Sequence, residues 1–273
     1  MEIEFGARTD VGRVRENNED SFALAADLNL FVLSDGMGGL ASGEAASRMT
    51  TETVLARCRE TADPTVALIG ERLSGLSNAS NRLASAIRWA NREVYQAARQ
   101  SATRQGMGAT VVALWFTDEG RVSVAHVGDS RAYRLRGGDL TQLTDDHSFV
   151  AEQVRRGMMT KREAGESTMQ NVLMRALGIE PEVQVDVNEE LLMEGDTLLL
   201  CSDGLFRELS EAQIMGVLED AEDPQEAADT LVELANQAGG GDNVTTIVVK
   251  YAPKSVGAFG RIGRWFTGSE RGS

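Results

Sequence analysis

One arrangement occurs twice in this chain: an apolar run that ends in Ser-Asp-Gly, at residues 30–36 and again at 198–204. An uninterrupted apolar run of that length reads as a strand buried on both faces. Asp-Gly directly after it places a carboxylate where the backbone is expected to turn. Asp-Gly is also a common turn dipeptide, so either copy alone implies no more than a turn. Further acids keep similar company: Glu19 and Asp20 in a polar bend, Asp129 in Val-Gly-Asp-Ser-Arg, and Asp242 in Gly-Gly-Asp-Asn. With Asp35 and Asp203 these make six carboxylates, drawn from the whole length of the chain, that together suggest a metal site.

Composition narrows the partners. At 273 residues with 42% hydrophobic content, the chain can form one large domain with a real core. A formal net charge of −15 repels a polyanion, which excludes nucleic acid as an expected partner. Cys58 and Cys201 are far apart and form no disulfide framework, so a reducing compartment is expected. The opening Met-Glu-Ile-Glu-Phe lacks a basic then apolar leader, and no stretch is long enough to span a bilayer. The chain is therefore read as a cytoplasmic monomer, with one domain over residues 1–252. Residues 253–273 form a basic tail carrying Lys254, Arg261, Arg264 and Arg271 against Glu270. Its Phe259, Ile262, Trp265 and Phe266 could make a short amphipathic segment, but the several glycines among them favour an ordinary frayed terminus.

Along the chain, residues 3–35 predict two or three strands about a bend at 15–20. Helical spacing follows at 43–59 and at 78–101, where Leu83, Ile87, Ala90, Val94 and Ala98 share a face. Residues 109–143 read as a strand meander with turns at 118–120 and 128–130, which places Asp129 at a hairpin end. Residues 145–178 are irregular and polar, with a short helix after Ser148 and a capping box from Thr160 to Glu163, as suits a surface flap. Strands are expected at 183–187, 197–202 and 244–251. Between the last two lie a helix capped by Ser210 and Gln213, and one opened by Asp223-Pro224 and closed by the glycines at 239–241. Strands and helices come in blocks and several links are hairpins, which points to an α+β fold of antiparallel sheets covered by helices.

Six clustered carboxylates without a cation would repel one another and push several pKa values upward. All-oxygen donors favour Mg²⁺ or Mn²⁺, whereas zinc would want the His and Cys that this chain barely has. Two such ions about 3.5 to 4 Å apart can bridge a water, lower its pKa toward ~7 and clamp an in-line displacement at phosphorus. Arg15, four residues before Glu19, offers a guanidinium fork for the phosphoryl oxygens.

At this point the residues resemble a known family. Arg15 with Glu19-Asp20, Asp35-Gly36, Gly128-Asp129-Ser130-Arg131, Asp203-Gly204 and Gly241-Asp242-Asn243 are similar to the motifs of metal-dependent serine/threonine protein phosphatases of type 2C, the PPM family, in compact bacterial form. Met107-Gly108-Ala109-Thr110, Asp146-His147-Ser148 and Arg175-Ala176-Leu177-Gly178 extend the likeness in order. The resemblance implies a four-layer α-β-β-α sandwich whose two central antiparallel sheets carry the ions at one edge. It implies that Asp35 bridges two Mn²⁺ or Mg²⁺ ions, with Glu19 and the Gly36 carbonyl on one and Asp203 and Asp242 on the other. Asp20 would order bound water, Asp129 with Asp203 would hold a weaker third ion, and Arg15 would grip the phosphoryl group. A metal-bridged hydroxide would attack without a phosphoenzyme. The substrates would be phosphoserine and phosphothreonine in proteins, and the partner an opposing Ser/Thr kinase.

One departure is Met37, where some members carry a histidine proposed as general acid; a thioether donates no proton. Of the two histidines, His126 is expected to be structural, and His147 could be offered as a proton donor instead. Rival readings are weaker. Cys201 and Arg207 have the Cys-x5-Arg spacing of thiol phosphatases, yet Asp203 would sit inside the phosphate cradle and Cys201 closes an apolar strand. A phosphoprotein-binding module without turnover would be expected to lack a metal carboxylate, and none is missing. A nucleotide hydrolase would be expected to show a Gly-x4-Gly-Lys loop, which is absent.

Overall fold

The computed structural model describes residues 2–38, 42–63, 65–100, 104, 106–117 and 120–252. The tail 253–273, on which the amphipathic reading falls, lies outside the described residues, as do Asp118 and Glu119 of the expected 118–120 turn.

Two antiparallel sheets form the centre. The first runs β1 (Glu2–Asp10), β11 (Val244–Ala252), β10 (Thr197–Cys201), β7 (Arg131–Arg136) and β8 (Asp139–Gln142) from edge to edge. The second runs β2 (Asp20–Ala25), β3 (Leu30–Met37), β5 (Val111–Thr117), β6 (Arg121–Val127) and β9 (Asp186–Leu191), with β4 (Gly108–Ala109) paired to the end of β3. The apolar runs serve both faces because successive side chains point to opposite sides. Phe31 and Leu33 of β3 meet Leu198 and Leu200 of β10 between the sheets, joined by Val112, Leu114, Ile247 and Val249. Leu30 and Val32 face instead the helices α1 (Ser42–Glu60) and α2 (Asn78–Arg99), against Val54, Leu83 and Ile87. Leu199 and Cys201 face α6 (Glu211–Asp220) and α7 (Pro224–Ala238), against Ile214, Leu231 and Val232. The result is the expected α-β-β-α sandwich, with rings stacked through the middle: Phe5 lies 5.1 Å from Phe31, which meets Phe116 edge-on at 5.7 Å.

Helix ends follow their sequence signals. Ser77 caps α2 by accepting from the Ser80 amide, the Ser210 and Thr160 boxes close on Gln213 and Glu163, and Asp223 accepts from the Gln225 and Glu226 amides just past Pro224. Two short helices, α3 (Phe149–Arg155) and α4 (Lys161–Gly165), lie in the flap, whose two ends are tied together by Phe149 N–H donating to Val172 C=O and Met174 N–H to His147 C=O.

Four expectations are corrected. β6 and β7 belong to different sheets, so Gly128-Asp129-Ser130 is a crossover from one sheet to the other and Asp129 sits at no hairpin end. Asp35-Gly36 makes no turn: β3 continues to Met37 and pairs there with β4. The 183–187 strand lies later, at Asp186–Leu191, because β6 offers partners only from His126, opposite Asp186, to Arg121; Val183 and Val185 fill the core beside it without joining the ladder. Thr110 also divides the expected 109–117 strand into β4 and β5.

Leu200 is fully buried between the sheets, whereas Leu191 is 54% exposed at the end of β9. Leu200→Ala is expected to cost about 2–5 kcal/mol in urea unfolding, and Leu191→Ala no more than about 0.5 kcal/mol.

Candidate metal centre

The acids converge where the two sheets meet at one end. Asp20 opens β2 directly opposite Asp35 of β3, so one ladder rung presents two carboxylates. From the other sheet, Asp203 follows β10 at the start of a single-turn helix, α5 (Asp203–Phe206), and Asp242 precedes β11. Asp129 comes from the crossover between sheets, and Glu19 from the bend before β2. Each of Asp20, Asp129, Asp203 and Asp242 adds repulsion at Asp35, which places all five in one electrostatic cluster.

Close backbone approach explains the glycines. A side chain on Gly36 would stand 2.0 Å from the Gly43 carbonyl oxygen, and one on Gly204 2.2 Å from that of Asn243. Both Asp-Gly pairs therefore let two chain segments meet beside an acid. Gly43 plays the same part for Glu19, whose carboxylate packs against its Cα in the first turn of α1, where a negative charge is favoured.

Asn243 holds the N-terminal bend in place. Its side-chain amide donates to the Val11 and Asn17 carbonyls, both at 2.9 Å, and its oxygen accepts the Glu19 N–H at 2.8 Å. Thr110 does the same for Asp35, exchanging its N–H and Oγ1 with the Asp35 backbone and touching Ser130 Oγ at 2.7 Å. Asp20 Oδ2 accepts from Ser202 and Thr245 hydroxyls, both at 2.7 Å. The Thr245 proton is committed to Asp20, so Thr9 donates to Thr245 and in turn accepts from Asn18.

Asp20 is 8% exposed, yet its Oδ1 has no protein partner. A buried carboxylate oxygen left bare beside four other acids is costly unless a cation or cation-bound water meets it, and the donors are all oxygen. The residues thus fit a hard divalent cation. Burial, with repulsion from Asp203, pushes Asp20 and Asp129 up to about 7. Burial and the acids around it hold Asp35 well above its ordinary value, and burial also raises Glu19 and Asp203.

Two guanidinium groups stand at the rim. Arg15 Nη2 lies 2.7 Å from Asp242 Oδ2 with its side chain 48% exposed. Arg207 Nη2 lies 2.6 Å from Asp203 Oδ2 and 3.8 Å from Asp129 Oδ2. Both border a cleft of about 790 Å³ whose far wall is formed by Val150, Ala151 and Lys161 of the flap. Arg207, Ser202 and Thr245 were not expected as site residues. The i to i+4 spacing of Asp203 and Arg207 was the available signal, obscured because a four-residue helix has no periodicity to read. Cys201 is fully buried with its thiol pushed up to about 12, which removes the thiol-phosphatase reading.

The histidines form a second cluster. His126, His147 and Asp186 bring three ligand atoms within 4.8 Å of one another, a spacing compatible with a divalent metal. Here Arg175 supplies a cation, donating to Asp186 Oδ1 at 2.6 Å with Nη1 3.0 Å from His147 Nε2. His147 is 4% exposed and stacks on His126 at 4.7 Å. Its Nδ1 accepts the Gly128 N–H, so Nε2 carries the proton and donates it to Asp186. With both nitrogens engaged, His147 braces the crossover that bears Asp129.

A family model described as protein phosphatase 2C matches residues 12–239. The chain is 37% identical over 253 residues to the serine/threonine phosphatase stp of Listeria monocytogenes, covering 92% of this chain and 96% of that one. The crystal structure of the Mycobacterium tuberculosis serine/threonine phosphatase PstP/Ppp superposes with a TM-score of 0.79 at 36% identity, covering 92% of this chain and 99% of that one. The catalytic domain of PstP in complex with two manganese ions gives a TM-score of 0.74 at 37% identity, with 92% and 99% covered.

Carboxyls that titrate near 7 when folded and near 4 when unfolded stabilise the metal-free fold fully below about pH 4, and that stability is lost as pH rises through about 7. In EDTA the melting temperature is therefore expected to fall between pH 5 and pH 8. Added Mn²⁺ is expected to raise it more at pH 8 than at pH 5, as read by calorimetry.

Proposed function

The chain belongs to the protein phosphatase 2C family of metal-dependent serine/threonine phosphatases, and we propose that four of its six acids share two Mn²⁺ or Mg²⁺ ions. In this reading Asp35 would be shared by both ions, Glu19 and the Gly36 carbonyl would hold one, Asp203 and Asp242 would hold the other, and Asp129 with Asp203 would mark the place of a weaker third. The observation that carries the assignment is the bare Asp20 Oδ1 buried among like charges. Further support comes from the relative solved with two manganese ions.

When bound, such a pair supplies a water of lowered pKa and screens negative charge at phosphorus. The chain's own residues then bind and orient. Arg15, on the open side of the cleft, exchanges part of its bond to Asp242 for two phosphoryl oxygens, a geometry its fork matches and a lysine would not. Asp20, fixed through Oδ2 by Ser202 and Thr245, presents Oδ1 to hold and orient water beside the phosphoryl group. Met37 donates no proton, so the leaving serine or threonine oxygen takes its proton from water in the cleft. The substrates are phosphoserine and phosphothreonine residues of proteins, and the activity opposes a Ser/Thr kinase in a bacterial signalling pair. We read the enzyme as a cytoplasmic monomer whose catalytic domain spans residues 1–252. Among the described residues no helix is long and apolar enough to cross a membrane.

Release of phosphate from a phosphothreonine peptide with Mn²⁺, abolished by EDTA and by Asp203→Ala, is the expected outcome; no release from folded, Mn²⁺-loaded protein would sink the reading. Arg15→Ala is expected to lower kcat/KM by roughly 10²-fold, the scale of one charge-stabilising donor. Cys201→Ser is expected to keep full activity.

A further inference from the structure

Arg207 is unlike the other arginines near the site. Arg15 is half exposed and faces the cleft, and Arg131 is taken up by Asp146, with Nε and Nη2 on its two oxygens and its guanidinium 3.6 Å above the Phe206 ring. Arg207 instead turns back on the acids. Its Nη2 lies 2.6 Å from Asp203 Oδ2 and 3.8 Å from Asp129 Oδ2, and its side chain is only 22% exposed.

The local sequence enforces this. Cys201 ends its strand, Ser202 is the N-cap, and α5 makes a single turn, with the Arg207 N–H donating to the Asp203 carbonyl. One turn places residue i+4 over residue i, so Arg207 stands above the Asp203 carboxylate. A side chain on Gly204 would collide with Asn243, so α5 cannot roll to aim Arg207 elsewhere. The guanidinium keeps its charge at any working pH.

We infer that Arg207 is a tethered cation seated on the Asp129–Asp203 pair, where it displaces the weaker third divalent ion. This rests on the ligand assignment above and refines it: the chain works with two exchangeable ions plus one that is part of its own sequence. A divalent ion held by Asp129 and Asp203 would lie beside a fixed positive charge in a partly dehydrated setting, where like charges repel strongly. To enter, it must first pull Arg207 from Asp203. The ion assigned to Asp203 and Asp242 also meets a guanidinium on each acid, but Arg15 on Asp242 is half exposed at the rim of the cleft, and of the two acids Arg207 spans only Asp203 belongs to that ion.

The test is Mn²⁺ binding to the full chain at pH 7.5, with free Mn²⁺ counted by electron paramagnetic resonance. Wild type is expected to bind two ions tightly. Arg207→Gln is expected to bind a third at least tenfold more tightly than wild type does, and Arg207→Lys, which keeps the charge, to behave as wild type. Adding Asp129→Asn to Arg207→Gln is expected to remove the third ion. Arg207→Ala serves in place of Arg207→Gln if the latter melts below wild type. Equal third-ion affinity in wild type and both neutral variants overturns the inference while leaving the two tight ions intact. Loss of the tight ions is reserved for Asp35→Asn; if that variant still binds two, the ligand assignment itself has failed.

Discussion

Everything at the working end of this molecule follows from holding several carboxylates together where water is scarce. Charges of one sign disperse unless something fixes them, and the fold fixes each by a separate device. Asp20 and Asp35 are rungs of one ladder, Asp203 is the first residue of a rigid turn, Asp129 rides a crossover braced by His147, and Asp242 is pulled by Arg15. Burial together with the repulsion left over raises the proton affinity of these acids and favours the capture of a cation.

That requirement explains why the scaffold is a sandwich of two sheets rather than one. A single sheet edge offers acids along one line, whereas two stacked sheets meeting at a common end offer acids from both sides of a small volume. The apolar runs at β3 and β10 are buried on both faces because each is an interior strand of its sheet, between a helical layer and the opposite sheet. Asp35 and Asp203 stand at the ends of these buried runs.

The α+β class, the helix caps and the acids at the centre were legible in the sequence because each is a local signal: a run, a box or a motif. What could not be read was which strand lies in which sheet. The stretch 128–130 looks like any hairpin turn, and only the partners of β6 and β7 make it a crossover. Asp-Gly at 35–36 has the composition of a turn, and only the approach of Gly43 and Glu19 gives the glycine its purpose. Val183 and Val185 have strand character, but the ladder begins where its neighbour does. The partners of Asp20 carry no local signal for the same reason, since Ser202 and Thr245 are ordinary residues whose role exists only after the sheets have stacked.

Those partners lie 182 and 225 residues from Asp20, and β1 is zipped to β11 along nine pairs. Acids encoded early in the chain are thus completed by hydroxyls encoded near its end. On the ribosome, the first two hundred residues can bury much of their apolar surface, yet no partial chain has a finished site with which to meet a phosphorylated protein. A chain that stops before Val244 lacks β11 and, with it, the Thr245 hydroxyl that holds Asp20. The long sequence separations that make such a topology slow to fold also make it self-auditing: a competent centre certifies that the whole domain has been made and closed.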